Sequence, residues 1–151
     1  MSIRDFELVC RPLIQGSAGY EENSAIAPAE VMVTVSESVI PGNIVAYNGS
    51  TVNLALTDHS SWTGAALWGY GNASIAVSLD STSNWTLIAD STVQNLTTAS
   101  GDLSQIFSNG FNLFYNSSAP ANSWLKNQTV TLQGGGKIAP IGTAVTAKTC
   151  S

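Results

Sequence analysis

Residues 52–63 and 75–86 align without a gap at an offset of 23. The two strings are Val52-Asn-Leu-Ala-Leu-Thr-Asp-His-Ser-Ser-Trp-Thr63 and Ile75-Ala-Val-Ser-Leu-Asp-Ser-Thr-Ser-Asn-Trp-Thr86. Leu56 and Leu79, Ser60 and Ser83, Trp62 and Trp85, and Thr63 and Thr86 are identical, while Val52/Ile75 and Leu54/Val77 are conservative pairs. Within each copy the apolar residues alternate with small polar ones, which is the period of a strand with one buried face. A unit of about 23 residues cannot cover its own apolar face and must stack on the next copy, which is the logic of a solenoid. Stacking in register predicts that Leu54 lies against Val77, Leu56 against Leu79 and Trp62 against Trp85.

The pattern extends beyond the two clear copies. Val31, Val33 and Val35 alternate with Met32 and Thr34, and Pro41-Gly42 marks a turn. Thr92–Leu96, Phe111–Tyr115 and Thr129–Leu132 read as further short strands separated by Ser, Asn, Gly or Asp. At 23 residues per turn, the stretch from 31 to 140 accommodates about five coils. The expected organisation is an irregular arm or cap at 1–30, one all-β solenoid domain at 31–140 and a tail at 141–151. The first 30 residues lack the alternation and contain Pro12, Gly16, Gly19 and Pro28, so they read as a poorly ordered N-terminal arm.

Several strings carry a family resemblance: Ser-Ser-Trp-Thr-Gly at 60–64, the run from Leu79 to Leu96, Gly-Asp-Leu-Ser at 101–104 and Thr-Val-Thr-Leu-Gln-Gly-Gly-Gly-Lys-Ile at 129–138. They resemble the rungs of right-handed parallel β-helix proteins of the pectin-lyase-like superfamily, among them bacterial autotransporter passenger domains and secreted fungal proteins. The resemblance covers roughly 44–138 and contains no catalytic signature. It implies a right-handed winding and a cell-surface or cell-wall setting.

Charge narrows the partners. Charged residues are 10% of the chain, with ten acidic against five basic and a net charge of −5. Lys126, Lys137 and Lys148 are isolated, so the clustered cations that hold a phosphate backbone are missing and nucleic acid is not an expected partner. No run approaches the 18 or so apolar residues of a membrane span. Small neutral polar residues take the place of charge: 20 Ser, 14 Thr and 12 Asn.

Six N-glycosylation sequons lie at Asn48, Asn72, Asn84, Asn95, Asn116 and Asn127. Chance alone would produce roughly 2.7 in a chain of this composition, so six is about a twofold excess. The excess favours an extracellular or cell-surface glycoprotein over Ser/Thr-rich turns that match by accident. The opening Met-Ser-Ile-Arg-Asp-Phe-Glu-Leu-Val-Cys is not a signal peptide. The expectation is therefore a fragment of a secreted protein, the alternative being a cytosolic protein whose sequons are idle. Cys10 and Cys150 would tie the two ends together as a disulfide, or stand as two free thiols.

Each candidate for chemistry has a structural counterpart. Asp58, Asp80 and Asp102 recur at intervals of 22, close to one coil, and would form a carboxylate column for glycoside hydrolysis. Aspartates at turns, Asp90 included, more commonly bond their own backbone. A lyase that abstracts a proton beside a uronate uses Arg or Lys with Ca²⁺ in the family the chain resembles, and no Arg follows Arg11. His59 is the only histidine and falls in a turn. Gly134-Gly-Gly136-Lys137 lacks the Ser or Thr of a phosphate loop and reads as a tight turn. No cofactor and no metal are expected. Trp68 and Tyr70, in Leu-Trp-Gly-Tyr-Gly, are the candidate platform for a sugar ring. The expected role is a non-catalytic structural or adhesive module that meets cell-wall polysaccharide or another surface protein. The alternatives are a carbohydrate-active enzyme fragment and a carbohydrate-binding module.

Overall fold

The computed structural model describes residues 12–16, 30–46, 49–68 and 73–143, with 12–16 and Trp68 described by their backbone alone. A strand β1 (Pro12–Gly16) precedes four coils of three strands each. These are β2 (Glu30–Ser36), β3 (Val39–Pro41) and β4 (Asn43–Ala46); then β5 (Thr51–Thr57), β6 (Ser61–Thr63) and β7 (Ala66–Trp68). Next come β8 (Ser74–Leu79), β9 (Asn84–Thr86) and β10 (Ser91–Val93), followed by β11 (Asn95–Thr98), β12 (Ile106–Phe107) and β13 (Leu113–Tyr115). A last turn holds a 3-10 helix (Pro120–Leu125), β14 (Val130–Thr131) and β15 (Lys137–Pro140). The chain is a parallel β-solenoid of about five turns.

Three faces run along it. Face one stacks β2, β5, β8 and β11, and face two stacks β3, β6, β9 and β12, all in parallel. Face three begins with β1, β4 and β7 and continues as β10, β13 and β15. Between its two halves, Ser91 Oγ accepts the Ala66 N–H at 3.1 Å.

The interior is built from the alternating residues. Val33, Leu54, Val77 and Leu96 form one column at steps of 21, 23 and 19 residues. Leu56 pairs with Leu79, and both are buried. On face two, Ile40, Trp62, Trp85 and Ile106 form the facing column. The two indoles are fully buried and stacked, with centroids 4.6 Å apart and planes 12° from parallel. Each indole N–H donates to a glycine carbonyl one coil back, Trp62 to Gly42 O at 2.8 Å and Trp85 to Gly64 O at 2.9 Å. A buried Trp needs such an acceptor, and here the backbone supplies it. A Cβ on Gly64 would fall on Gly42 O and Trp62 Nε1, well inside 3.0 Å, so this corner admits only glycine.

The later coils depart from the expected strands. Thr92–Leu96 is not one strand but β10 and β11, divided by a corner at Gln94. Val93 and Leu96 both point inward, and their spacing of three is incompatible with one alternating strand. Phe111–Tyr115 contributes only Leu113–Tyr115, and Thr129–Leu132 only Val130–Thr131, which pairs antiparallel with β15. Gly134 and Gly135 make the hairpin turn with φ of 94° and 95°.

Among the described residues, no further strand stacks on β11 at the C-terminal rim of face one. The 3-10 helix lies over β11, and its side chains make the hydrogen bonds that a neighbouring strand would make. Asn122 Oδ1 accepts the Leu96 N–H at 2.8 Å, Asn122 Nδ2 donates to Gln94 O at 2.7 Å, and Trp124 Nε1 donates to Leu96 O at 3.0 Å. Within the segment expected as an irregular arm or cap, β1 lies parallel to β4 and adds a rung to face three. The remainder of that segment, and the tail beyond 143, lie outside the described residues.

Candidate functional site

The proposed carboxylates sit at the corner between faces one and two. Asp58 and His59 end the turn after β5 with φ of 52° and 62°, and Asp80 follows β8. The left-handed conformation is tolerated by Asp and His far better than by a branched residue, which explains their place there. Asp58 and Asp80 do meet, because Thr57 and Asp80 continue the β5–β8 register. The Asp58 N–H donates to Asp80 Oδ2 at 2.8 Å, and Asp58 Oδ2 accepts from Ser36 Oγ of the coil before at 2.7 Å.

Asp102 does not join this column. The step from β8 to β11 is 19 residues, so Thr98 pairs with Leu79, and the Ala99 N–H bonds Leu79 O at 2.9 Å. Asp102 lies three residues further on, in a loop of its own, where Oδ1 accepts from Ser104 N at 2.9 Å and Ser104 Oγ at 2.6 Å.

Asp80 is saturated with donors. Besides the Asp58 N–H, its Oδ1 accepts from Thr82 N at 2.9 Å, Thr82 Oγ1 at 2.8 Å and Ser83 Oγ at 2.8 Å. The Asp58 N–H first, then the Thr82 N–H, with the Thr82 and Ser83 hydroxyls adding to them, hold its carboxyl far below the usual carboxylate range and outweigh the opposing desolvation. Asp102 is lowered in the same sense, chiefly by the Ser104 hydroxyl and N–H. A general acid of a glycosidase needs a raised pKa so that it carries a proton at working pH. Asp80 and Asp102 are tuned the opposite way.

The turn aspartates therefore do more than satisfy their own backbone. Asp102 serves its own loop, but Asp58 and Asp80 each link two coils, and Asp90 Oδ1 accepts the Asn112 N–H of the next coil at 2.8 Å. Asn43 and Asn112 act alike, accepting from Ala65 N at 2.9 Å and Lys137 N at 3.0 Å. A buried polar ladder runs beside the carboxylates: Ser60 Oγ accepts the Ser38 N–H at 3.3 Å, and Ser83 Oγ accepts the Ser60 N–H at 3.2 Å. Gln105 Nε2 closes it on Ser83 O and Asp80 O. The repeated Ser60/Ser83 identity announced this ladder in the sequence. Gln105 and Asn122 carried no such signal, since neither recurs.

Trp68 ends β7, and the positions of its side chain and of Tyr70 lie outside the described residues, as do Cys10, Cys150, Asn48 and Asn72. Of the remaining sequons, Asn127 is exposed, whereas Asn84 and Asn95 are half-buried at the starts of β9 and β11. Asn116, also half-buried, donates from Nδ2 to Gln94 Oε1 at 2.8 Å. The outer surface of face one is a shallow depression of ≈ 280 Å³ floored by small side chains such as Asn53, Ala55, Ala76, Ser78 and Thr97. Met32 stands at its rim, 77% exposed. No group of three or more His, Cys, Asp or Glu that would hold a metal occurs among the described residues. No helix among the described residues is long and apolar enough to cross a membrane. No family model matches the chain, and no curated protein or solved structure matches it.

Proposed function

We propose that this protein is an extracellular or cell-surface glycoprotein in which the solenoid is a stiff, non-catalytic module for display and contact, related to the pectin-lyase-like β-helix proteins it resembles. The observation that carries this reading is the commitment of the corner polar groups. Asp58, Asp80 and Asp90 each give one carboxylate oxygen to an N–H or O–H group of a neighbouring coil, and the second oxygen of Asp80 is taken by donors of its own turn, so these carboxylates act as fasteners. The excess of sequons supports the compartment, and the small uncharged side chains of face one suit contact with a neutral polysaccharide or another surface protein.

The reading is tested with the purified full chain on pectic and glucan polymers. The expected result is retention on a wall polysaccharide or a surface protein without turnover. Turnover that disappears in Asp80→Asn would overturn it in favour of a carbohydrate-active enzyme. Pull-down of polysaccharide that Trp68→Ala abolishes would recast the protein as a carbohydrate-binding module.

A further inference from the structure

Of the twelve asparagines in the chain, two are followed by glycine, Asn48 and Asn109. Asn48 lies outside the described residues, whereas Asn109 is exposed at the corner between β12 and β13. Asn109 and Gly110 are the centre of a tight turn, closed by the Phe111 N–H donating to Ser108 O at 2.9 Å. Both have left-handed φ, 52° and 83°, the conformation for which Asn-Gly is the favoured pair.

The other described asparagines are shielded. Five precede a large apolar residue, as Asn84 precedes Trp85, and Asn127 precedes Gln128, so a side chain crowds the following backbone nitrogen. Asn116 and Asn122 commit their side-chain amides to hydrogen bonds with Gln94. Asn109 has neither protection. Gly110 has no side chain, and its N–H is held by Ser108 Oγ at 3.3 Å, beyond the usual N–H···O range of about 3.2 Å.

The same turn seats the last coil. The Ser108 N–H and hydroxyl both donate to Gln133 O, at 2.7 and 2.8 Å, and Ser108 Oγ accepts the Gly136 N–H at 2.8 Å. Gly134 lies so close that a Cβ there would come within 2.7 Å of Asn109 N, and a Cβ on Gly136 would fall on Phe111 O. The backbone of 108–111 is thus the mould against which the hairpin between β14 and β15 is pressed.

We infer that Asn109 is a self-modification site whose conversion loosens this last coil. Gly110 N gives up its proton and attacks Asn109 Cγ; the N–Cγ bond forms, the Cγ–Nδ2 bond breaks, and Nδ2 leaves as ammonia with that proton. Water then opens the resulting cyclic imide. Addition at Cγ leaves aspartate, and addition at the main-chain carbonyl carbon leaves isoaspartate, in which the backbone runs through Cγ and is longer by one carbon. Either product adds a negative charge, and isoaspartate also displaces the backbone on which Gly134 and Gly136 pack. The chemistry needs only water, so the inference does not depend on the compartment.

The test is to age the purified full chain in warm, mildly alkaline buffer beside a free peptide of residues 105–114, and to map isoaspartate by fragmentation mass spectrometry. The expected result is conversion at Asn109 at a rate comparable with the peptide's and several-fold faster than at Asn116 or Asn122. An intact Asn109 beside a converted peptide would overturn the inference, because the turn would then protect the amide. Hydrogen exchange reads the structural consequence. In the aged fraction the Leu132 amide, bonded to Gly136 O at 2.8 Å, is expected to exchange several-fold faster while the Leu56 amide is unchanged. Asn109→Gly, which keeps a residue suited to positive φ, should abolish that acceleration. Equal Leu132 exchange in fresh and aged protein would overturn the loosening.

Discussion

The second and third coils stack by repetition, and the C-terminal end stacks by improvisation. Where β5 and β6 meet β8 and β9, like lies on like: Leu56 on Leu79, Trp62 on Trp85, at a constant step of 23. Beyond β11 the side chains no longer repeat, and Asn122, Trp124 and Gln105 reproduce by hydrogen bonding what a repeated strand would have supplied. The contrast shows that a solenoid can be continued by apolar columns or closed by polar side chains aimed at an open strand edge. Closing the edge matters because unpaired strand edges recruit other chains.

The largest effect is expected from breaking the repeated region. Trp85→Ala removes a fully buried indole, its stack on Trp62 and its bond to Gly64 O, and should cost about 3–5 kcal/mol in denaturant unfolding. A loss below about 1 kcal/mol would show that the indole column is not part of the cooperative core. Gly64→Ala forces a methyl against Gly42 O and should cost about 3 kcal/mol, at the upper end for overpacking, with a matching fall in melting temperature. Unchanged melting would contradict the close approach of these two corners.

Asn122→Ala probes the improvised end. It leaves the Leu96 N–H and Gln94 O without their partner and should cost about 1–3 kcal/mol. Hydrogen exchange at the Leu96 amide should accelerate more than at Leu56, and equal acceleration at both would refute the local role.

The smallest effect concerns acid. The folded-state pKa values of Asp80 and Asp102 lie below their unfolded values, so their contribution is complete above the unfolded value near 4 and is lost as pH falls through the folded one. Melting temperature should therefore hold from neutral pH to about pH 5 and decline below about pH 4. Asp80→Asn should flatten the decline, and a slope identical to that of the parent would show that Asp80 is not responsible.

The middle of the molecule was legible because identical residues recur at one spacing and alternation tells which side of a strand faces inward. Val52/Ile75 and Trp62/Trp85 therefore named their own partners. The ends were not legible in that way. The corner at Gln94 hides inside a run that reads as one strand, and only the inward pointing of both Val93 and Leu96 reveals it. Of the aspartates spaced at 22, Asp58 and Asp80 meet, but a step of 19 instead of 22 on face one leaves Asp102 out.

The sequence by itself determined the all-β class, the coil length and the stacking of the second and third coils, because hydrophobic period and repetition are local properties of a string. Tertiary structure alone decided which polar groups act as fasteners and how the last strand edge is closed. These depend on how many residues each particular coil spends in its turns, and a single residue more or less moves every later side chain to a different neighbour.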